Sequence, residues 1–314
     1  MKKLLVISAM CLAMTAQATI LRVSNVSNSG APYSDVSSAM AAAVSGDTIM
    51  VDGSTVSYSD VTIDRKIVLM GPGYWRAENG VIQEGTNPAT FSAINFKTGS
   101  AGSIITGIVG STVAVNTDHI TITRCRIQGN ITHSGPSTAS NTVIHQCFLE
   151  GSVRGYGTIA ANRTPNVQIT NNIFTGKINS DGLIYALTDS YIAYNTFTNE
   201  ASNVNYADES SVYGSTIEKN VAFRFGSIDT NTYNDNYVSN NIIYHDTSTD
   251  LAIKNQVLSD DVAAQVEGKG AFSGDDPYVI SGIPAGPVIQ DITVPATVEQ
   301  GGTLNITIKL GIQK

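Results

Sequence analysis

The chain has 314 residues, with 18 Lys and Arg against 26 Asp and Glu, a formal net charge of −8, and charged side chains at only 14% of positions. So acidic a balance lacks the basic surface that phosphate backbones require, which excludes nucleic acid as a partner. A hydrophobic content of 42% likewise excludes a largely disordered chain.

The first eighteen residues read as a signal peptide. Lys2 and Lys3 form a positive start, residues 4–14 are apolar but for one Ser, and Ala16-Gln17-Ala18 has the small-x-small pattern of a cleavage site. This run falls short of the ~20 apolar residues that span a bilayer, and no later segment approaches that length, so no transmembrane segment is expected. The expected location is secreted or at the cell surface, the periplasm included. Cys11 follows Met10 rather than the small residue that normally precedes a lipidated cysteine. Without Lys2 and Lys3 the balance is 16 basic to 26 acidic residues, a net charge of −10. The surface is polar through Ser, Thr, Asn and Gly rather than ionic.

Residues 33–44 predict a short amphipathic helix with Val36, Ala39, Met40, Ala43 and Val44 on one side, suited to cap the open end of a repeat stack. Residues 45–51 read as a turn and first strand, and residues 66–74 as a later coil.

From residue 122 onward the chain repeats. Six segments share the pattern [Ile/Val]-x-x-[Cys/Asn]-x-apolar, with pivots at Cys125, Cys147, Asn172, Asn195, Asn220 and Asn241, separated by 22, 25, 23, 25 and 21 positions. Leucine-rich repeats of this length need several leucines per unit, and propeller blades need about twice the period. Short β-branched strands such as Ile120-Thr121-Ile122-Thr123 alternate between two faces, as the wall of a solenoid does. The predicted fold is all-β: a single-stranded right-handed parallel β-helix of about ten coils over residues 19–250. Ile122, Ile144, Ile169, Ile192, Ile217 and Val238 form one apolar ladder of that stack, and Ile127, Leu149, Phe174, Phe197, Ala222 and Ile243 a second. Between them the pivot amides are placed to bond one another and the local backbone at a buried corner.

Cys125 and Cys147 occupy one column, one rung apart. Side chains of in-register parallel strands run side by side at about 4.8 Å, whereas a disulfide wants Cβ atoms at about 3.8 Å, so two stacked thiols are favoured over a bridge.

An Ala-rich helix, the Ser45-Gly46-Asp47-Thr48-Ile49 strand start and the Ile67-Val68-Leu69-Met70-Gly71-Pro72-Gly73 turn resemble the opening of pectate-lyase-like β-helix proteins. They are similar above all to secreted β-helix proteins of Bacteroidetes bacteria. The resemblance covers residues 19–250 and implies the fold; it implies carbohydrate only as a broad ligand class, because this fold hosts lyases, hydrolases, adhesins and spacers. Residues 161–166, with Arg163-Thr164-Pro165, resemble the Arg-x-Pro element that carries the catalytic Arg of pectate lyases, which makes Arg163 the candidate base. In that family a second Arg and a His follow before an Asn-Asn turn; here Gln168 and Asn171-Asn172 occupy that stretch. Asn116-Thr117-Asp118 is similar to the first element of polygalacturonases, but the remaining elements are absent, and Asp260-Asp261 and Asp275-Asp276 fall outside the coils.

The histidines at 119, 133, 145 and 245 have no metal-ligating spacing, and no acidic run resembles a calcium loop, so no metal or cofactor is expected. His133, in a loop over residues 132–140, and His145, facing away from the ladders, are expected in solvent. Eight of the 13 tyrosines lie between Tyr185 and Tyr244, in or near insertions. Tyr185, Tyr206, Tyr213 and Tyr233, flanked by Asp208, Glu209 and Asp229, are the candidate ligand-binding strip; the alternative is that they cover the outer wall as packing residues.

Past residue 250 the periodicity stops. Residues 251–267 are mixed, residues 268–287 are rich in Gly and Pro and read as a segment crossing the last coils, and residues 288–314 alternate as a hairpin turning at 299–302, expected to cap the C-terminal end. The function these features favour is a non-catalytic secreted or cell-surface solenoid that binds a polysaccharide or cell-envelope glycan. The alternative is a polysaccharide lyase or glycoside hydrolase acting on an acidic polysaccharide. Oligomeric state is not legible.

Overall fold

The computed structural model describes residues 18–80, 87–135, 139–157, 162–176, 183–198, 212–222, 230–239, 249–254, 260–294, 297, 303–304 and 306–313. Nearly all its strands are short and pair in parallel with the strand one coil away, so the chain winds as a parallel β-solenoid. A first wall of ten strands runs from Ile20–Val23 to Thr232–Asn234. The second sheet has twelve strands and divides at Val109–Val115: the start of that strand pairs with Arg126–Ile127, its end with Ile131–His133. From there a second wall continues through Phe148–Leu149, Ile173–Phe174, Thr196–Phe197, Val221–Ala222 and Tyr237–Val238, and a third through Val153–Arg154 and Ile184–Tyr185. Among the described residues no helix is long and apolar enough to cross a membrane.

The interior is a stack of identical columns. Ile49, Leu69, Ile105, Ile122, Ile144, Ile169, Ile192 and Ile217 are paired in register and wholly buried. Across the lumen, Phe174 and Phe197 stack with ring centroids 4.6 Å apart. Stacking like on like removes each apolar side chain from water and fixes the register, since a slip of one residue would turn every column outward.

Between the first and second walls the backbone turns through a left-handed residue on each rung: Arg124, Gln146, Asn171, Tyr194, Lys219 and Asp235 all have φ between 46° and 55°. The pivot follows. The side-chain oxygen of Asn195 accepts the Asn172 N–H (3.0 Å) and that of Asn220 accepts the Asn195 N–H (2.9 Å), while the Asn195 amide donates to Ile169 O (2.8 Å). The Asn172 oxygen accepts the Cys147 N–H (2.8 Å), so the amide ladder hands over to the two cysteines, both buried and free.

The last rung corrects the sequence register. Below Asn220 stands Asn236, accepting the Asn220 N–H at 3.0 Å, only 16 residues on. Tyr233 pairs with Ile217 in the first wall, and Val238 pairs with Ala222 in the second rather than extending the first ladder. Asn241 and Ile243 lie outside the described residues. Because the segment from 236 to 243 repeats the pattern of Asn followed by an apolar residue, periodicity alone favoured the later copy.

The N-terminal region gains a strand that the pattern missed. Ile20–Val23 precedes the helix and pairs with Thr48–Val51. Asp47 joins them by accepting the N–H groups of Thr19 and Val44, each at 2.8 Å, which explains the Asp before the strand. The helix is Val36–Ala42, capped by Asp35 and burying Val36, Ala39 and Met40; Val44 lies beyond it and is exposed.

Residues 269–284 form a strap that climbs back along the corner between the first and second walls. Lys269 pairs with Asp235 (3.0 Å) and the Gly270 N–H bonds Lys219 O (2.8 Å). Asn171 donates to Ala271 O and Ser273 O, Gln146 to Asp276 and Pro277 O, and Arg124 to Ile283 O. Pro284 ends against Gly107. Arg124, Gln146, Asn171 and Asp235 thus offer their side chains to the strap, and Lys219 its carbonyl. Beneath it Tyr74, Val109, Phe148, Ile173, Ile253, Ala271 and Tyr278 make a second core on the outside of the second wall. Asp250, wholly buried, anchors it by accepting from Asn79, the Tyr278 hydroxyl (2.9 Å) and the Ser281 N–H (2.6 Å).

The final segment is an antiparallel pair, Gly286–Thr293 with Thr307–Gln313. Val294, Leu304, Ile306 and Ile308 are about half exposed, and the turn assigned to residues 299–302 lies outside the described residues.

Candidate functional site

With the strap over one corner, the opposite edge of the first wall is left uncovered by the strap. There a second left-handed column runs through Gly102, His119, Asn141, Asn166, Asp189 and Gly214, with φ between 48° and 79°. Gly, Asn, Asp and His tolerate this conformation best, so the residue types follow from the backbone. From Gly102 to Asp189 each N–H in the column reaches a carbonyl on the next rung, as His119 to Ser140 O (3.0 Å), Asn166 to Thr188 O (3.1 Å) and Asp189 to Tyr213 O (3.1 Å). Behind it a buried hydroxyl ladder holds the turn, with Ser190 Oγ accepting from Val167 N (3.1 Å), Ser215 Oγ from Ser190 N (2.9 Å) and Asn231 Oδ1 from Ser215 N (2.9 Å).

His119, Asn141, Asn166 and Asp189 form one side of a groove of about 610 Å³, and Val143, Val167, Gln168 and Tyr191 form the rest. Tyr191 donates its hydroxyl to Glu218 on the next rung (2.6 Å), which holds the ring along the wall; burial, then that carboxylate, raises the phenol above its usual value. The His119 imidazole lies 2.8 Å from Asp118, and both are well exposed. The groove is therefore a row of imidazole, two amides and a carboxylate beside an amide, two valines and a phenol.

Rung spacing decides what this row can do chemically. His119 and Asp189 are three rungs apart, about 14 Å at ~4.8 Å per rung. Acid and base acting on one glycosidic bond stand roughly 5–9.5 Å apart. The groove can grip a ligand along its length, but His119 and Asp189 do not converge on one bond.

The residues singled out from sequence lie elsewhere. Arg163 is 5% exposed, with its guanidinium 3.8 Å from the centre of the Tyr213 ring. It is a packed cation, not a base facing solvent. Tyr185 stands on the third wall beneath Arg154 (5.4 Å), Tyr213 bridges to Thr188, and Tyr233 ends the interior Ile column. The three occupy different strand columns and do not form one strip; Tyr206, Asp208, Glu209 and Asp229 lie outside the described residues.

Two histidines also depart from expectation. His133 is an inward residue of Ile131–His133, buried, with Nδ1 2.9 Å from Arg154 O; the alternation of that strand places it in the lumen, not in a loop. His145 is half-buried between Thr170 (2.8 Å) and Asp276 of the strap (2.9 Å). Among the described residues no three His, Cys, Asp or Glu side chains come together as a metal site.

Comparison with family models, with curated proteins and with solved structures finds no match for this chain. The groove had a signal in the sequence. His119, Asn141, Asn166, Asp189 and Gly214 are spaced 22, 25, 23 and 25 positions apart, each six residues before a pivot.

Proposed function

We propose that this protein is an exported, right-handed β-helix of the pectate-lyase-like kind, closed at its N-terminal end by the helix Val36–Ala42, that binds a glycan and does not cleave it. One observation carries the reading: a rigid backbone column sets His119, Asn141, Asn166 and Asp189 at rung spacing along a polar groove, with Gln168 and Tyr191 beside them. Amides and a carboxylate match sugar hydroxyls as donors and acceptors, and a phenol ring fixed along the wall matches the apolar face of a sugar. The separation of His119 from Asp189 supports binding over catalysis.

The test is a glycan array probed with the mature chain, run beside an assay for unsaturated products from polyuronate. Retention of a glycan that falls at least tenfold in Gln168→Ala, with no product formed, is the expected result. Turnover of polyuronate that survives Gln168→Ala would replace this reading with an enzyme sited elsewhere.

A further inference from the structure

Building on the glycan-binding reading, we infer that the groove selects glycans without acidic groups, and that the bound chain lies parallel to the solenoid axis. The direction follows from construction. The four corner residues share one backbone conformation and one column, so equivalent donors and acceptors recur only along the stack. Across the stack the groove is bounded by the wall strands. A linear ligand satisfies Asn141, Asn166 and Asp189 together only when it runs with the column, across two rungs or about 10 Å.

The charge selection follows from the lining. None of the eight groove residues is Lys or Arg, and one, Asp189, is a carboxylate. Two further carboxylates stand immediately behind: Asp118, holding His119, and Glu218, holding the Tyr191 hydroxyl. The basic side chain in this column, Lys66, lies along Gly102, one rung before His119. The other cations described above are engaged elsewhere: Lys219 and Lys269 with Asp235, Arg124 with the strap, Arg163 on Tyr213. A polyuronate laid along this row would bring its carboxylates past Asp189 with no guanidinium or ammonium among the lining residues to receive them, and desolvating such a charge unpaired is costly. Neutral hydroxyls and acetamido groups meet no such cost, and at Asp189 they find a strong acceptor.

The experiment is isothermal titration of the full mature chain with cellohexaose, chitohexaose and hexagalacturonate at low and at moderate salt. Three variants accompany it: Asn166→Gly, which keeps the left-handed backbone, Gln168→Ala, and Asp189→Lys. The expected result is binding of at least one uncharged hexasaccharide, at least tenfold tighter than hexagalacturonate at low salt. That preference shrinks as salt rises, and Asp189→Lys narrows it by at least tenfold. Tighter binding of hexagalacturonate, weakened by Gln168→Ala, would overturn the charge selection while leaving the groove as the binding site. Binding of an uncharged chain unaffected by both Asn166→Gly and Gln168→Ala, or no binding of any of the three, would overturn the inference together with the reading on which it rests. Melting temperatures of the variants within a few degrees of the parent establish that the loss is in contacts and not in fold.

Discussion

Asn195 and Asn220 share one buried interaction twice over: the Asn220 side-chain oxygen accepts both the backbone N–H and the side-chain amide of Asn195, each at 2.9 Å. Replacing Asn195 by Leu keeps the backbone bond and removes the side-chain one. It also strips the Asn172 N–H and Ile169 O of their partners inside a dry stack. Unpaired buried groups of this kind cost about 1–3 kcal/mol each, so Asn195→Leu is expected to lower urea-unfolding stability by at least that much while the protein still folds. An unchanged midpoint and slope would show the column to be dispensable.

His133 makes stability fall in acid. Burial lowers its pKa from 6.5 to about 4, so the folded chain holds it neutral. Its contribution is complete above about pH 6.5 and is lost as pH falls toward 4, on the order of 3 kcal/mol in total. Asp250 acts with the opposite sign: burial raises its pKa, so the stability it contributes is present at low pH and lost as pH rises through the raised value. Denaturation measured from pH 7.5 to 4 should therefore show a loss that His133→Gln flattens. A slope identical in the variant would mean that His133 is not buried neutral.

Gly282 tests the strap. It has φ 54°, and a Cβ there would sit 2.3 Å from Arg124 O and 2.4 Å from the Tyr74 ring. Gly268 has φ 72° and open space around it. Gly282→Ala is expected to cost more than about 2 kcal/mol and to open the strap to protease, whereas Gly268→Ala costs about 1 kcal/mol from backbone strain alone. Equal melting temperatures for the two variants would contradict the packing of the strap on the corner.

Arg163→Ala removes a buried guanidinium from the face of Tyr213. Expected is a stability loss of about 1–3 kcal/mol, shared non-additively with Tyr213→Leu, and no change in glycan retention. Loss of retention at unchanged stability would return Arg163 to the functional site.

Cys125 and Cys147 are expected to be silent to a thiol reagent until the chain unfolds. Both are wholly buried, and burial, then the neighbouring Cys147, raises the Cys125 thiol well above its ordinary value. In a chain that starts at residue 19, two thiols should titrate in denaturant and none in buffer; zero in both would reveal a bridge.

The repeating core was readable because its physics is local and periodic: Ile144, Ile169, Ile192 and Ile217 recur with Asn172, Asn195 and Asn220 at nearly constant spacing. The last rung was not, because a coil of 16 residues breaks the period and residues 241–243 mimic the motif. The groove residues repeat as regularly as the pivots, but His119, Asn141, Asn166 and Asp189 share a backbone conformation rather than a residue type, and a search by residue type passes over such a column. The path of the strap was hidden for another reason. Gln146 and Asn171 look like ordinary turn residues until their partners, 100 to 131 positions away, are in place. Arg163 was singled out by its likeness to an Arg-x-Pro element and Tyr233 by its place near an insertion; their inward placement depends on which face of a rung they occupy, and that is fixed only by the whole coil.

The strap also changes what kind of object the stack is. A solenoid in which each coil touches only its neighbours peels open from its ends, one unit at a time. Here the segment from Lys269 to Pro284 joins the coil of Asp235 to the coil of Gly107, so the lower end cannot loosen without releasing Asn171, Gln146 and Arg124 in turn. Opening becomes a single concerted event rather than a progressive one, and slow amide exchange should extend evenly through the strapped coils instead of fading toward the last of them.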